Sequence, residues 1–416
     1  MTDSTDAGPL AGSRVLELGS TIAGPFCARL FADFGADIVK VEPREGDTVR
    51  TMGAHRDGVS LYAASILRNK RLICVDMKSA RGQTMVRDLA AASDAVIENF
   101  RPGTLEKWGL GYDDLSRANP RIVLIRISGY GQTGPYRERP GYGVIGEAVG
   151  GLREMTGDPD RPPARVGVAL TDCIAALYAA FGGAMALMEA GRTGRGQCVD
   201  VALYESAFSF MEPHVPAFAA LGIVPKRAGS SLPLHAPNNL YPTGDDRYIH
   251  IAAGNEAIFR RLCAAMARPE LADDPRFADA HSRKRNVAEL DAAIGAWTGS
   301  RTLVDANEAL RANDVPATPI YTMADIFADP QYAARDMLLE VPEPTLGAVT
   351  MAGIVPKLSA TPGSVRWAGH AVGQDTRSVL SERLGLSDDD LERLKSDGVV
   401  WWDDAQPPAS NQQGTG

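Results

Sequence analysis

Residues 15–42 contain a strand, a loop of small residues, a helix and a second strand, and this succession constrains the fold more than any other feature. An apolar run over 15–18 ends at Gly19, and a second apolar run covers 38–42. Between them, apolar residues recur at helical spacing from Phe26 to Phe34, and Gly35 ends the helix. Two strands joined through a helix lie parallel in one sheet, so the sequence predicts a βαβ unit and a parallel sheet.

The same alternation continues along the chain and makes α/β the predicted fold class. Further strands are expected over 72–75, 95–98 and 122–127, with helices over 80–92 and near 112–118. The Gly- and Pro-rich stretch 128–170 predicts an irregular loop region, followed by a helix over about 172–190 and a strand over 198–203. Open α/β sheets bind their ligands beyond the carboxyl ends of their strands, which is where we expect the site.

The pattern changes after residue 224 and changes back near residue 330. Residues 225–330 predict a smaller α+β domain, and residues 331–402 predict a return to the first domain, which begins in 1–224. The polar tail 403–416, with Pro, Gln and Gly, is predicted to be disordered.

Charge and cysteine content exclude several classes of function. The 416-residue chain has a net charge of −9, which disfavours binding to nucleic acid or to an anionic membrane. No apolar run approaches the roughly 20 residues of a membrane span. The five cysteines lack CxxC spacing and the six histidines lack HxxxH spacing, so neither a disulfide framework nor a metal site is expected. We expect a cytoplasmic enzyme without nucleic-acid or membrane partners.

Two features of the sequence leave a functional and a structural interpretation open. The loop Gly19–Gly24 suits the approach of a phosphate to a helix N-terminus, but an ordinary βα turn has the same composition. Cationic residues occur at 68–71 and at Lys78, Arg101 and Lys107, where they fit either a phosphorylated ligand or a solvated surface.

Asp172 opens the predicted helix 172–190 and also has two interpretations. A carboxylate at a helix start is commonly an N-cap, whereas an ionised carboxylate beside small residues can act as a nucleophile. The adjacent Cys173 has no nearby histidine in the sequence and is interpreted as a packed thiol.

Five short blocks in order give the chain a resemblance to the class III CoA-transferase family, also called the CaiB/BaiF or formyl-CoA transferase family. They are Ala23-Gly24-Pro25 with residues 30–42, residues 69–71 with 76–78, residues 98–103, residues 128–135, and Asp172 followed by residues 193–197. The resemblance covers about residues 8–400. It implies a Rossmann-like large domain built from both chain ends, an inserted smaller α+β domain, and a homodimer whose two chains interlock.

The resemblance also implies the role of individual residues. Asp172 falls at the catalytic aspartate, and Tyr142 falls in the acyl pocket. The positions that hold coenzyme A correspond to Ile22, Ala23, Val75, Lys78, Asn99, Phe100 and Lys107. The implied substrates are an acyl-CoA and a carboxylic acid, with no cofactor beyond the CoA thioester itself.

The sequence departs from the family pattern at three places. Gly143 replaces a usual acidic residue, Pro43 replaces a frequent basic residue, and the glycine-rich covering loop is reduced to Gly229, Ser230 and Ser231. These departures weaken the expectation of formyl or oxalyl specificity, and succinyl-CoA is the expected donor. A 2-methylacyl-CoA racemase and an inactive CoA-binding homologue are the alternatives.

Overall fold

The computed structural model describes residues 8–232 and 235–404. The strands are β1 (Arg14–Glu17), β2 (Asp37–Glu42), β3 (His55–Arg56), β4 (Val59–Ser60), β5 (Lys70–Val75), β6 (Ala95–Glu98), β7 (Val123–Ser128), β8 (Cys198–Ala202), β9 (Asn238–Pro242), β10 (Tyr248–Ala252), β11 (Ala317–Pro319), β12 (Leu338–Glu343), β13 (Gly347–Ala352) and β14 (Val400–Trp401).

The helices separate these strands. They are α1 (Ala23–Asp33), α2 (Leu61–Ile66), α3 (Ala80–Ala91), α4 (Thr104–Lys107), α5 (Tyr112–Ala118), α6 (Gly143–Val149), α7 (Leu170–Thr193), α8 (Leu203–Phe208), α9 (His214–Leu221), α10 (Glu256–Ala265), α11 (Ala280–Arg285), α12 (Val287–Gly299), α13 (Leu303–Ala312), α14 (Met323–Ala328), α15 (Pro330–Ala334), α16 (Thr376–Leu384) and α17 (Asp388–Ser396). Short 3-10 helices cover Thr48–Thr51, Ser209–Met211 and Pro269–Ala272.

A mixed sheet with the order β14-β5-β2-β1-β6-β7-β8 forms the centre of the fold. All its neighbouring strands are parallel except β14, which runs antiparallel to β5. The strand order reverses between β1 and β6, because the chain first adds strands on one side of β1 and then on the other. Such a reversal opens a crevice at the carboxyl ends of the two central strands, where doubly wound sheets bind ligands.

Side chains alternate between the two faces of this sheet and fill two separate cores. Leu16 of β1 and Val96 of β6 pack with α3, α5, α16 and α17, whereas Val15 and Ile97 pack with α1 and α7. The alternation follows from the two-residue repeat of a strand. Burial on both faces explains why these strands are apolar runs, and it confirms the predicted α/β class.

The chain forms two compact units. Within the described residues the larger unit comprises 8–152, 166–217 and 334–404, and the smaller comprises 153–165, 218–232 and 235–333. The smaller unit contains the antiparallel sheet β11-β10-β9, whose Ile249 and Ile251 pack with α10, α12 and α13. Residues 153–165, which the sequence analysis placed in the large domain, cluster with this smaller unit.

Several elements were not predicted, among them α6, α2 and β14. Helix α6 lies inside the predicted loop region 128–170, and its N-cap Tyr142 makes no side-chain capping bond that would mark its start in the sequence. Helix α2 and strand β14 are only six and two residues long, too short for a periodic signal. The predicted disordered tail lies outside the described residues from residue 405 onward, whereas Asp404 pairs with Lys395 at 2.7 Å.

Helix α7 differs from the prediction that no apolar run approaches the length of a membrane span. Its 24 residues include an 18-residue window with a mean hydropathy of 1.6, so by length and composition alone it is capable of crossing a membrane. It packs against α1, β7 and β8 along one side and is one-third buried in that window. The helix is therefore part of the core of the large unit on one face and exposes an apolar second face.

Candidate active site

The loop between β1 and α1 lies at the point where the strand order reverses. Asn99, just after β6, accepts a hydrogen bond from the Ser20 N–H at 2.8 Å and donates to the Ser20 carbonyl at 2.9 Å. A Cβ on Gly19 would lie 2.9 Å from the Gly24 Cα, so neither glycine tolerates a side chain. The small-residue loop is therefore a compact turn, fastened to the neighbouring strand's loop by Asn99.

A second loop at this edge, after β6, is held by a buried ion pair. Glu98 accepts hydrogen bonds from Arg126 Nε at 2.6 Å and from the Phe100 N–H at 2.7 Å. Arg126 also pairs with Glu106 of α4 at 2.6 Å. Burial raises the pKa of the Glu98 carboxyl to about 7, although Arg126 acts in the opposite direction. These contacts fix the backbone at Phe100 and the position of α4, which carries Lys107.

Asp172 is the third residue of α7, which begins two residues earlier than predicted. Ala169 is the N-cap and makes no side-chain capping bond, so the interpretation of Asp172 as the N-cap is wrong. The carboxylate still lies in the first turn of a 24-residue helix, where the helix dipole favours negative charge. Asp172 is half-buried.

Gly143 lies directly against the Asp172 carboxylate. A Cβ built on Gly143 would stand 1.9 Å from Asp172 Oδ2, which is far inside van der Waals contact. Tyr142, one residue earlier, is the N-cap of α6 and is 72% exposed. Because residue 143 has no side chain, the Asp172 carboxylate can occupy this position next to the start of α6.

An apolar cluster connects Asp172 to the β1–α1 loop. Ala169 and Cys173, which flank Asp172 in sequence, pack in one cluster with Ile22 and Phe26. Ile22 belongs to the loop that Asn99 fastens, and it is only 8% exposed. The structure therefore brings the predicted residues Ile22, Ala23, Asn99 and Asp172 to one region of the large unit.

The environment of Cys173 disfavours its reactive thiolate form. Burial, and after it the negative charge of Asp172, raise the pKa of the Cys173 thiol. A thiol attacks as its thiolate, which this environment disfavours. The interpretation of Cys173 as a packed thiol fits this geometry.

Two further residues of this region carry no sequence signal. Tyr62 of α2 packs in the same cluster as Cys173, and burial followed by the charges of Cys173 and Asp172 raise the pKa of its hydroxyl. Arg29 lies over the Phe26 ring at 4.3 Å, and burial lowers the pKa of its guanidinium to about 10. Neither residue belongs to a motif, and only folding brings them near Asp172.

The predicted CoA-contacting residues after β5 and β6 share one border of the core. Met77, next to Lys78, packs on the same cluster as Phe100 and Trp108, and the Phe100 and Trp108 rings meet edge-on at 5.4 Å. Lys78 and Lys107 are exposed. Val75 is 1% exposed as a whole residue and its side chain packs in the core, so the structure leaves almost none of it accessible to a ligand.

The cations at 68–71 are not available to a phosphorylated ligand. Arg68 and Lys70 are fully buried, and they pair with Asp33 at 2.6 Å and with Glu17 at 2.7 Å. Arg71 pairs with Asp37 at 2.7 Å near the amino end of β5, away from the ligand-binding edge. The interpretation of this cluster as a phosphate site is wrong because its charges are neutralised within the fold.

The covering-loop residues belong to the smaller unit. Gly229 has a positive φ of 61° and donates its N–H to the Gly157 carbonyl at 3.1 Å. The Ser231 hydroxyl donates to the Ala228 carbonyl at 2.8 Å, and Ser230 is exposed. Their place in an acyl pocket stays a prediction. Among residues 8–232 and 235–404, no cluster of three or more His, Cys, Asp or Glu side chains is arranged to hold a metal ion.

A doubly wound sheet with a carboxylate near its switch point is typical of α/β enzymes that bind nucleotide-like ligands. Comparison with known proteins identifies the family. The profile of the CoA-transferase family III matches residues 10–376. Succinyl-CoA–D-citramalate CoA-transferase from Chloroflexus aurantiacus is 46% identical over 94% of this chain and 98% of its own length.

Two further proteins match over nearly their whole length. The beta subunit of succinyl-CoA–L-malate CoA-transferase from the same organism is 40% identical over 96% of this chain and 100% of its own. A crystal structure of a CaiB/BaiF family protein from Brucella suis superposes with a TM-score of 0.83 at 35% identity, covering 91% of this chain and all of that one. The chain belongs to the CoA-transferase family III, and it is an acyl-CoA:carboxylate CoA-transferase.

Proposed function

We propose that the enzyme moves CoA from succinyl-CoA to a small dicarboxylic acid, with Asp172 as the nucleophile. The observation that carries the proposal is the Asp172 carboxylate in the first turn of α7, beside the Gly19–Gly24 loop at the switch point of the sheet. The similar proteins whose names include succinyl-CoA, D-citramalate and L-malate support this donor and this class of acceptor.

Four attacks complete the exchange without any external base. The Asp172 carboxylate attacks the thioester carbonyl, the C–S bond breaks, and an acyl-aspartyl anhydride and CoA thiolate form. The thiolate then attacks the aspartyl carbonyl of the anhydride and releases the donor acid as its carboxylate, leaving an aspartyl-CoA thioester. The acceptor carboxylate displaces the thiolate to form a second anhydride, and the thiolate finally takes the new acyl group. Each step forms one bond to a carbonyl carbon, breaks another, and transfers no proton, so a single carboxylate suffices.

The anhydrides impose a second requirement, which is the exclusion of water. The interlocked homodimer that the resemblance implies, with the smaller unit as its inserted domain, is our proposal for how the site is enclosed. Supporting it, α7 exposes one apolar face, on which Phe181 is 64% and Met188 is 76% exposed. Large exposed apolar faces mark interaction sites, and a second copy of the chain is the occupant we propose. Sedimentation should give a dimer of the 44.3 kDa chain, and a monomer would refute the proposed homodimer.

A panel of acceptors tests the proposed reaction. Succinyl-CoA, acetyl-CoA and oxalyl-CoA should each be assayed with D-citramalate, L-malate, glutarate and acetate as acceptors. We expect transfer from succinyl-CoA to at least one dicarboxylate and none to acetate. Preference for oxalyl-CoA, or transfer only to monocarboxylates, would contradict the proposed substrates while leaving the Asp172 chemistry in place.

The racemase alternative makes a different prediction for the α-proton. By the resemblance, racemases of this fold carry a His-Asp pair where this chain has Tyr142 and Gly143. Racemisation needs a base on each face of the α-carbon, and Asp172 supplies only one. Incubation with a 2-methylacyl-CoA in deuterated water should therefore give no α-deuteration. Rapid deuterium uptake without transfer to any acid would favour the racemase.

Loss of Lys78 or Lys107 should weaken acyl-CoA binding selectively. Both ammonium groups are exposed beyond the strand ends, near the Phe100 surface. A charge-assisted contact to phosphate contributes about 1.5–3 kcal/mol, so Lys78→Ala and Lys107→Ala should each raise the KM for acyl-CoA about tenfold or more. The KM for the acceptor acid should hardly change. Lys284→Ala, at an exposed position of α11 in the smaller unit, is the control. An unchanged acyl-CoA KM in both variants would refute the assignment.

A further inference from the structure

Four buried charged side chains form one network beneath the β1–α1 loop. Lys40 Nζ lies 2.9 Å from Glu17 Oε1 and 2.7 Å from Asp47 Oδ2, and Lys70 Nζ lies 2.7 Å from Glu17 Oε2. None of these side chains is more than 1% exposed. Apolar side chains of similar volume often replace buried ion pairs without loss of stability. Stability alone therefore does not account for four charges at this place.

The network reaches the loop backbone at three points. Lys40 Nζ donates to the Gly19 carbonyl at 2.6 Å, and Lys70 Nζ donates to the Pro25 carbonyl at 2.7 Å. Between them, Asp47 Oδ1 accepts the Thr21 N–H at 2.9 Å. These bonds fix the beginning, the middle and the end of the same loop that Asn99 holds from the opposite side.

The hydrogen bond from Thr21 to Asp47 involves a residue with a strained backbone. Thr21 has a φ of 70°, in the left-handed region that a β-branched residue rarely adopts. Asp47 Oδ1 also accepts the Val49 N–H at 2.9 Å, so the 3-10 helix that starts there holds the carboxylate in place. Backbone strain persists only where the surroundings impose it, and it concentrates at ligand-binding sites.

We propose that Lys40 and Asp47 are positioning residues for acyl-CoA binding, because they set the backbone of the Gly19–Gly24 loop. The inference rests on the proposed function, which makes this loop part of the CoA site. The two side chains are buried and act on the substrate only through the loop. Their loss should change the affinity for CoA compounds more than it changes the chemical step.

Two variants test the network, one by a mild substitution and one by removal of a charged group. Asp47→Asn keeps an oxygen for the Thr21 and Val49 N–H groups but loses the charge that faces Lys40, and Lys40→Met removes the ammonium group. We expect each to raise the dissociation constant of CoA and the KM for succinyl-CoA about tenfold, with a smaller change in kcat. The acceptor KM should stay near its wild-type value. If Lys40→Met does not fold, the CoA dissociation constant of Asp47→Asn alone tests the positioning role.

Arg68→Met is the matched control. Arg68 is as buried as Lys40 and pairs with Asp33 at 2.6 Å, but Asp33 is the last residue of α1. At 1.5 Å per residue, that end of the helix is about 15 Å from its start at the loop. Arg68→Met should therefore lower the melting temperature as Lys40→Met does, but leave CoA affinity unchanged.

The outcomes separate this inference from the proposed function. Equal CoA affinity in wild type, Asp47→Asn and Lys40→Met overturns the positioning role, even if succinyl-CoA is the donor. An equal loss of affinity in Arg68→Met overturns it as well, because the effect would then be general destabilisation. If the wild type transfers no CoA from succinyl-CoA, the proposed function fails, and the CoA dissociation constants of the same variants still decide the positioning role.

Discussion

Replacing Asp172 with alanine should abolish CoA transfer and leave a folded protein that binds CoA. Removal of a covalent nucleophile typically costs about 10⁴-fold or more in kcat, because no other group takes over the attack. Cys173 is no substitute, since burial, which persists in the variant, raises the pKa of its thiol. Ala169 caps the helix, so the loss of Asp172 removes no N-cap side chain, and the melting temperature should change by only a few degrees. Initial rates, thermal unfolding and CoA titration measure the three expectations.

The control for this variant is Glu189→Ala, in the last turn of the same helix. Glu189 pairs with Arg192 at 2.8 Å on the surface, an interaction that contributes about 0.3–0.5 kcal/mol. The Glu189→Ala variant should keep full transfer activity. Hydroxylamine adds a positive test in the wild type, because it should convert the aspartyl intermediate to a hydroxamate at Asp172 after incubation with succinyl-CoA. Near-normal turnover of Asp172→Ala would rule out the anhydride mechanism.

Most of the large unit was predictable because its strands are buried runs in regular alternation with helices. Strand β6 was predicted at 95–98 and occurs there, and helix α5 was predicted near 112–118 and occurs at Tyr112–Ala118. Burial on both sheet faces produces the apolar signal in each strand. Elements without such a signal were missed, among them α6, which holds Gly143 against Asp172.

The arrangement of the site was only partly predictable, because it depends on contacts between distant residues. The sequence shows Lys40 inside the apolar strand β2 and Lys70 just before the predicted strand 72–75, but it does not show that both lysines pair with Glu17. For the same reason the sequence left a ligand site and a solvated surface open for the cations at 68–71, whereas folding buries Arg68 and Lys70 in ion pairs. The resemblance predicted Asp172, Asn99 and Phe100 as site residues, and their roles stay predictions. The charge networks that fix the loops around them came only from the three-dimensional arrangement.

Gly143→Ala should lower kcat about 100-fold, because the added Cβ displaces the carboxylate of the proposed nucleophile Asp172. The added Cβ would lie 1.9 Å from Asp172 Oδ2, so the carboxylate must turn away. A misplacement of about 1 Å at a reacting group costs about 10²-fold in rate. The fold should survive, because residue 143 begins α6 with an ordinary helical backbone and the clashing atoms are at the free end of a side chain. Steady-state kinetics with succinyl-CoA measure the effect, and the KM should change less than kcat.

Gly191→Ala is the matched control for this substitution. Gly191 lies in α7, as Asp172 does, and a Cβ there meets nothing within 4 Å. Alanine stabilises a helix interior by about 1 kcal/mol relative to glycine, so this variant should be slightly more stable and fully active. If Gly143→Ala also kept wild-type kcat, the carboxylate would not react from the position beside Gly143. A selective loss in Gly143→Ala instead ties the glycine, where the family usually has an acidic residue, to the placement of the Asp172 nucleophile.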